Sequence, residues 1–206
     1  AITYDKVDSV VNQHKDTLSE KIANHIHWSL TPPANNAGLK SFVVRTTGAV
    51  VGTRRRLIRA DLFALQTQMS NAQIPLENRN IILCPEHVED LLLEDQNLQN
   101  QLTDQGNGRA AAKIAGFTLW FSSFAPHFDN AGSKKAFGSA VISTDRFAST
   151  VFYGPRTWKA YGDTIMYIKL AKDNPEGRET IAGFRQYAAG GLENLNGSGA
   201  IVSAVV

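Results

Sequence analysis

The chain has 206 residues, 43% hydrophobic and 19% charged, with 21 Lys plus Arg against 19 Asp plus Glu. That much apolar material excludes bulk disorder, and a net charge of +2 excludes a histone-like polycation. A single cysteine, Cys84, excludes an intrachain disulfide framework and a zinc site built on several thiolates; no apolar run reaches the ~20 residues of a membrane span, and no signal-peptide pattern opens the chain.

Residues 4–28 read as one long amphipathic helix, with Val7, Val10, Val11, Leu18, Ile22 and Ile26 at spacings of three and four. Pro32 and Pro33 stop it. Residues 41–47 are β-branched and aromatic and predict a short strand, punctuated by Gly48 and Gly52. Residues 59–72 predict a second helix with Leu62, Phe63, Ala64, Leu65 and Met69 inward. Residues 80–84, almost wholly apolar, predict a buried strand. Pro85 then opens a third helix over residues 86–95, with Val88, Leu91 and Leu92 inward and a continuation over 97–104. Residues 105–108 read as a turn. Residues 113–123 predict a strand entered through Gly116, 125–138 an exposed loop, 140–143 a strand and 145–152 a short helix. Further strands are expected at 164–170, 184–188 and 201–206, with a flexible stretch at 190–199. Interspersed helices and short strands favour an α+β fold over regular βαβ units.

The search for catalytic motifs is negative. No phosphate-binding glycine loop, dinucleotide fingerprint or nucleophile elbow is present. Asn196, Gly197, Ser198 and Gly199 have the small residues of an elbow without its strand-to-helix context. His25 and His27 stand two apart on a helix, so their rings diverge and do not form a metal pair. Cys84 closes an apolar strand and reads as an inert buried thiol.

The charge layout says more. Lys40, Arg45, Arg54, Arg55, Arg56 and Arg59 form a stretch with no acid among them. Glu86, Glu89, Asp90, Glu94, Asp95 and Asp104 form a stretch with no base among them. Two solvated faces, a complementary pair of surfaces meeting between copies of the chain, and nucleic-acid contact through Arg54–Arg56 are the open readings. On the second reading Arg54, Arg55, Arg56, Glu89, Asp90 and Glu94 are the candidate subunit interface. An enzyme assembled from His87, Asp90 and Glu94 is a rival from another class.

Four passages then stand in a suggestive order: TYDKVDSVVNQHKDTL at 3–18; RTTG at 45–48 leading to RRRLIRADLFALQTQMSNAQIP at 54–75; NIILCPEHVEDLLLED at 80–95; and IAGFTLWFSS at 114–123. Together they make the sequence resemble the tailed-bacteriophage major capsid proteins of the Hong Kong 97-type fold, which encapsulins share. The resemblance implies a long spine helix, a peripheral domain over residues 3–31 and 165–206, and an axial domain over 38–163. It implies a structural protein, not an enzyme, with no cofactor and no metal. Its copies would form hexamers and pentamers of an icosahedral head enclosing DNA, or an encapsulin-like shell. The implied partners are further copies, scaffolding or portal proteins and packaged DNA held non-specifically, with no membrane. The implied location is the virion, assembled in the bacterial host cytoplasm. Members carry an N-terminal arm and an extended loop before the spine helix; with that helix starting near Tyr4, a shortened form is expected.

Overall fold

The computed structural model describes residues 2–94, 113–173, 176–177 and 179–206. Asp95, Asp104, the expected continuation over 97–104 and the turn at 105–108 lie outside the described residues. In chain order the elements are α1 (Ile2–Leu30), β1 (Phe42–Arg45), β2 (Val50–Val51), β3 (Arg54–Arg55), α2 (Arg59–Asn71), β4 (Arg79–Leu83), α3 (Pro85–Glu94), β5 (Lys113–Ile114) and β6 (Phe117–Phe121). There follow β7 (His127–Phe128), β8 (Arg146–Tyr153), β9 (Thr157–Tyr161), β10 (Ile165–Lys169), β11 (Ile181–Arg185), β12 (Ala188–Leu192) and β13 (Gly199–Val202). The fold is mixed α+β.

The chain divides into two compact units, Ala1–Ile26 with Lys159–Gly190, and His27–Trp158 with Gly191–Val206. The first holds most of α1 and the antiparallel ribbon β10–β11, in which Tyr167 faces Gly183. None of residues 9–26, 159–170, 172–173, 176–177 and 179–190 is buried. Strand alternation puts Ile165 and Tyr167 on one face of the ribbon and Met166 and Ile168 on the other, so a two-stranded ribbon has apolar side chains to cover on both faces. All four stay about half exposed.

The second unit is built on a seven-stranded mixed sheet ordered β1-β13-β8-β4-β6-β5, with β7 also pairing β8. β13 runs parallel to β1 and antiparallel to β8, while β4 is antiparallel to β8 and parallel to β6. Leu62, Leu65 and Met69 of α2 and Leu91 of α3 pack with Ile81, Val151 and Ile201 on one face. Phe128, Ala148, Ala200 and Val202 form a smaller core on the other.

Several expectations need correction. Residues 145–152 are not a helix but most of β8, a central strand of the sheet. With both faces covered it shows no apolar–polar alternation, and the small Ala148 and Ser149 mask its β-branched and aromatic content. Residues 113–123 are not one strand but a hairpin, turning at Ala115 and Gly116 with φ of 50° and 76°. Two consecutive positive φ values match the twist of the flanking strands. The expected loop at 125–138 contains β7, with Phe128 fully buried. Residues 140–143 form no strand, and Val141 and Ile142 are exposed. Phe63 and Ala64, expected inward, are exposed. Gly191–Val206 belongs to the second unit, with β13 inserted between β1 and β8.

Gly48 marks a close crossing. A Cβ there would lie 2.6 Å from the Arg56 carbonyl oxygen and 2.8 Å from Ile58 Cγ2. The first of these is backbone, tied by the Gly48 N–H to Arg56 O bond at 3.1 Å. Gly48→Ala is therefore expected to destabilise by about 1–3 kcal/mol, the usual cost of overpacking, read as a lowered urea midpoint with unchanged slope.

Candidate subunit interface and its buried charge cluster

β2 and β3 form a small hairpin turning at Gly52, whose φ is 60°. Its outer strand is tied to the C-terminal tail, the Arg55 N–H donating to Ala204 O at 3.0 Å. Strand alternation turns Arg54 inward and Arg55 outward. Arg54 meets α3. Its Nη1 and Nη2 reach Asp90 Oδ2 and Oδ1 at 2.6 and 3.1 Å, and its Nε lies 3.3 Å from Glu86 Oε2. Glu86, Asp90 and Glu94 stand four residues apart and so line one stripe of α3.

Asp90 is 2% exposed and does more than pair with Arg54. Its Oδ2 accepts the Leu57 N–H at 2.9 Å, and Arg56 Nε lies 3.8 Å from its Oδ1. The bidentate bond to Asp90 holds the Arg54 guanidinium above its ordinary pKa, against the opposing effect of burial. Glu94 accepts the Arg59 N–H at 2.9 Å, placing an acid at the positive N-terminus of α2. Asp61, which the sequence reading passed over, is also buried: its carboxylate accepts from the Thr47 and Ile58 N–H groups and the Thr47 hydroxyl. An acid at the third position of a helix, able to reach back to the residue before it, was the available signal.

Central members of the basic and acidic stretches meet inside one chain. Arg54, Arg56 and Asp90 are brought together, with Arg54 and Asp90 removed from the surface. Arg55, Glu89 and Glu94 are exposed. Glu89 stands at the rim of an open apolar groove formed by Pro85, Val88, Leu92, Leu93 and Phe121.

The rival trio does not assemble. His87 faces the sheet, with Nδ1 2.7 Å from Ser149 Oγ and Nε2 3.0 Å from Ser203 Oγ. Burial pushes its imidazole down to about 4, so the ring is neutral at pH 7. Both hydroxyls are buried with it, out of reach of a substrate. Asp90 is committed to Arg54, and Glu94 lies two turns along α3. Burial pushes the Cys84 thiol up to about 11, so it is not a thiolate near neutrality. His25 is exposed and His27 buried, as their divergence on a helix requires. The 196–199 segment is a hydrogen-bonded turn: the buried Ser198 hydroxyl donates to Leu195 O at 2.6 Å, and Gly197 has a φ of 88°. Among the described residues no group of three or more His, Cys, Asp or Glu could hold a metal ion, and no helix is long and apolar enough to cross a membrane.

This arrangement is a scaffold of internal ties with an exposed charged rim, and the likeness of the whole fold agrees. The capsid structure of the cyanophage P-SCSP1u superposes with a TM-score of 0.55 at 16% identity, covering 97% of this chain and 69% of that one. The capsid of Ralstonia phage GP4 gives 0.54 at 14% identity, over 84% of this chain and 54% of that one. The mature capsid of bacteriophage PhiM1 gives 0.50 at 18% identity, over 92% and 61%. The chain carries a phage capsid protein fold. It spans between 54% and 69% of the length of these three chains. No family model and no curated protein matches the sequence.

Proposed function

We propose that the chain is a major coat subunit of the Hong Kong 97 type, with α1 as its spine helix, the first unit as peripheral domain and the second as axial domain. Copies assemble as hexamers and pentamers of an icosahedral phage head that encloses DNA, contacted non-specifically, with scaffolding or portal proteins as further partners. The observation that carries this reading is the likeness to phage capsids along most of the chain, 84% to 97% of it. The exposure of the apolar residues Ile165, Met166, Tyr167 and Ile168 in the first unit supports it, because such a ribbon gains its apolar burial from a neighbour. The reading is of a structural protein, located in the virion after assembly in the host cytoplasm.

Electron microscopy and light scattering of the purified protein test it. Rings or closed shells are expected; a monomer at every concentration and ionic strength rejects it. Arg55, Glu89 and Glu94 remain the candidate contacts between copies. Arg55→Glu and Glu89→Lys are each expected to lower the ring fraction while leaving Tm within a degree or two, as exposed charges do. Unchanged ring yield in both variants removes these residues from the interface.

A further inference from the structure

The last turn of α1, from His27 onward, belongs to the second unit and is held there by a short chain of polar bonds. His27 is 6% exposed. Its Nε2 lies 3.1 Å from Thr150 Oγ1 on β8, which lies 2.6 Å from Thr31 Oγ1, which in turn lies 3.3 Å from the His27 carbonyl oxygen. A neutral ring completes this chain with every donor used: Nε2–H donates to Thr150, Thr150 to Thr31, and Thr31 to the His27 carbonyl. His27 Nδ1 is buried and has no hydrogen-bond partner among the described residues. Left as a bare acceptor it is tolerated. A proton placed on it would be a buried N–H without an acceptor, carrying a full charge beside the Phe124 ring, whose centroid is 5.5 Å away.

Among the described residues the surrounding ionisable groups offer the charged ring no compensation. On α1 itself Glu20, Lys21 and His25 precede it. Lys134 Nζ donates to the carbonyls of Trp28 and Thr31 and lies 4.0 Å from the Trp28 ring centroid, so a cation already sits on this turn. Lys135 Nζ is paired with Asp145 at 2.5 Å. Arg146 on β8 donates to the carbonyls of Ser143, Asp145 and Thr53. β7 carries His127, and on β4 the Arg79 guanidinium is taken up by Pro75 and Ile74 carbonyls. β6 and residues 122–126 carry no ionisable side chain.

We propose that His27 is an acid-sensitive latch: a proton on its buried Nδ1 finds no acceptor, so the charged ring leaves its site and the last turn of α1 is released from β8. The sign follows from burial, which pushes the ring from its ordinary 6.5 down to about 4. The latched state binds fewer protons than the released one between those values. Latching is therefore complete above pH 6.5 and is lost as the pH falls toward 4, with the release constant rising on the order of twentyfold from pH 7 to pH 5. His87 lies on the opposite face of β8 with both ring nitrogens bonded, so it acts on α3 and serves as the control.

Amide hydrogen exchange of the intact chain, corrected for intrinsic rates, at pH 7 and pH 5 tests the latch. In the wild type the opening of residues 28–31 is expected to rise on the order of twentyfold relative to the β4 and β8 amides. His27→Gln, which keeps a donor and does not titrate, is expected to abolish that difference, and His87→Gln to leave it in place. An undiminished response in His27→Gln, or no differential response in the wild type, overturns the proposal. Should His27→Gln fail to fold, NMR titration of the wild-type ring decides. Protonation well below pH 6.5 together with opening of the turn supports the latch; ordinary titration with the turn still protected overturns it.

Discussion

Asp90→Ala is expected to cost about 3–5 kcal/mol of folding stability, the usual penalty for breaking a buried ion pair from one side. The size follows from what the carboxylate does. It takes both nitrogens of the Arg54 fork at 2.6 and 3.1 Å and the Leu57 N–H at 2.9 Å. Removing it leaves a guanidinium whose side chain is 14% exposed with Glu86 beside it, and strands a buried N–H. The two losses share one group, so they arrive together in a single variant. Urea denaturation measures this, and a loss below about 1 kcal/mol would mean that water reaches the site and screens it. Asp90→Leu with Arg54→Met is expected to recover the part of the loss that comes from the unpaired guanidinium, since an apolar pair avoids the desolvation of two charges, while the Leu57 N–H stays without its acceptor. The recovery separates the value of the pair from the penalty of leaving one partner alone.

Arg79→Ala should be nearly as damaging, at about 3–5 kcal/mol. Arg79 is 1% exposed, and among the described residues no carboxylate takes up its charge. Its Nε donates to Pro75 O at 2.9 Å and Nη2 to Ile74 O at 2.5 Å; Nη1 reaches Gln66 O at 3.4 Å, and both Nη atoms reach Ser70 Oγ at 3.3 Å. These acceptors lie at and just beyond the C-terminal end of α2, where the helix dipole favours a cation. Burial lowers the guanidinium below its ordinary pKa, yet an arginine stays charged. Truncation would strand several carbonyls and open a cavity the size of a long side chain. Arg79→Lys is expected to recover less than half of the loss, because a point charge on one stem does not span acceptors set around a planar fork. Equal stability of Lys and Arg here would show that charge alone matters. Thermal and urea denaturation of both variants provide the comparison.

Both sites show where sequence reading reaches its limit. α1, α2, β4 and α3 were legible because their apolar residues repeat at helical or strand spacing and because Pro32, Pro33 and Pro85 mark boundaries. Acid at Glu86, Asp90 and Glu94, and base at Arg54 and Arg56, were legible as a complementary pair. That they satisfy each other within one chain was not, because nothing in residue spacing says that a hairpin at 54–55 lies against a helix at 85–94. Arg79 carried no signal at all: an arginine opening an apolar strand reads as a surface charge. His87 stood with Asp90 and Glu94 as a candidate for a rival enzyme, and only the sheet beneath α3 buries it against Ser149 and Ser203. β8 was misread for a related reason. A strand covered on both faces loses its alternation, and the small residues at Ala148 and Ser149 make room for side chains from the two sides.

By itself the sequence determined the long opening helix, the strand–proline–helix at 80–94, the α+β class and the likeness to capsid proteins, all of which depend on local periodicity and on the order of segments. Tertiary structure alone decided which charges are spent inside the subunit, which histidines are neutral, and that the C-terminal strand joins the central sheet. Those outcomes depend on which distant groups share a dry environment, since burial and not residue type sets the cost of a charge.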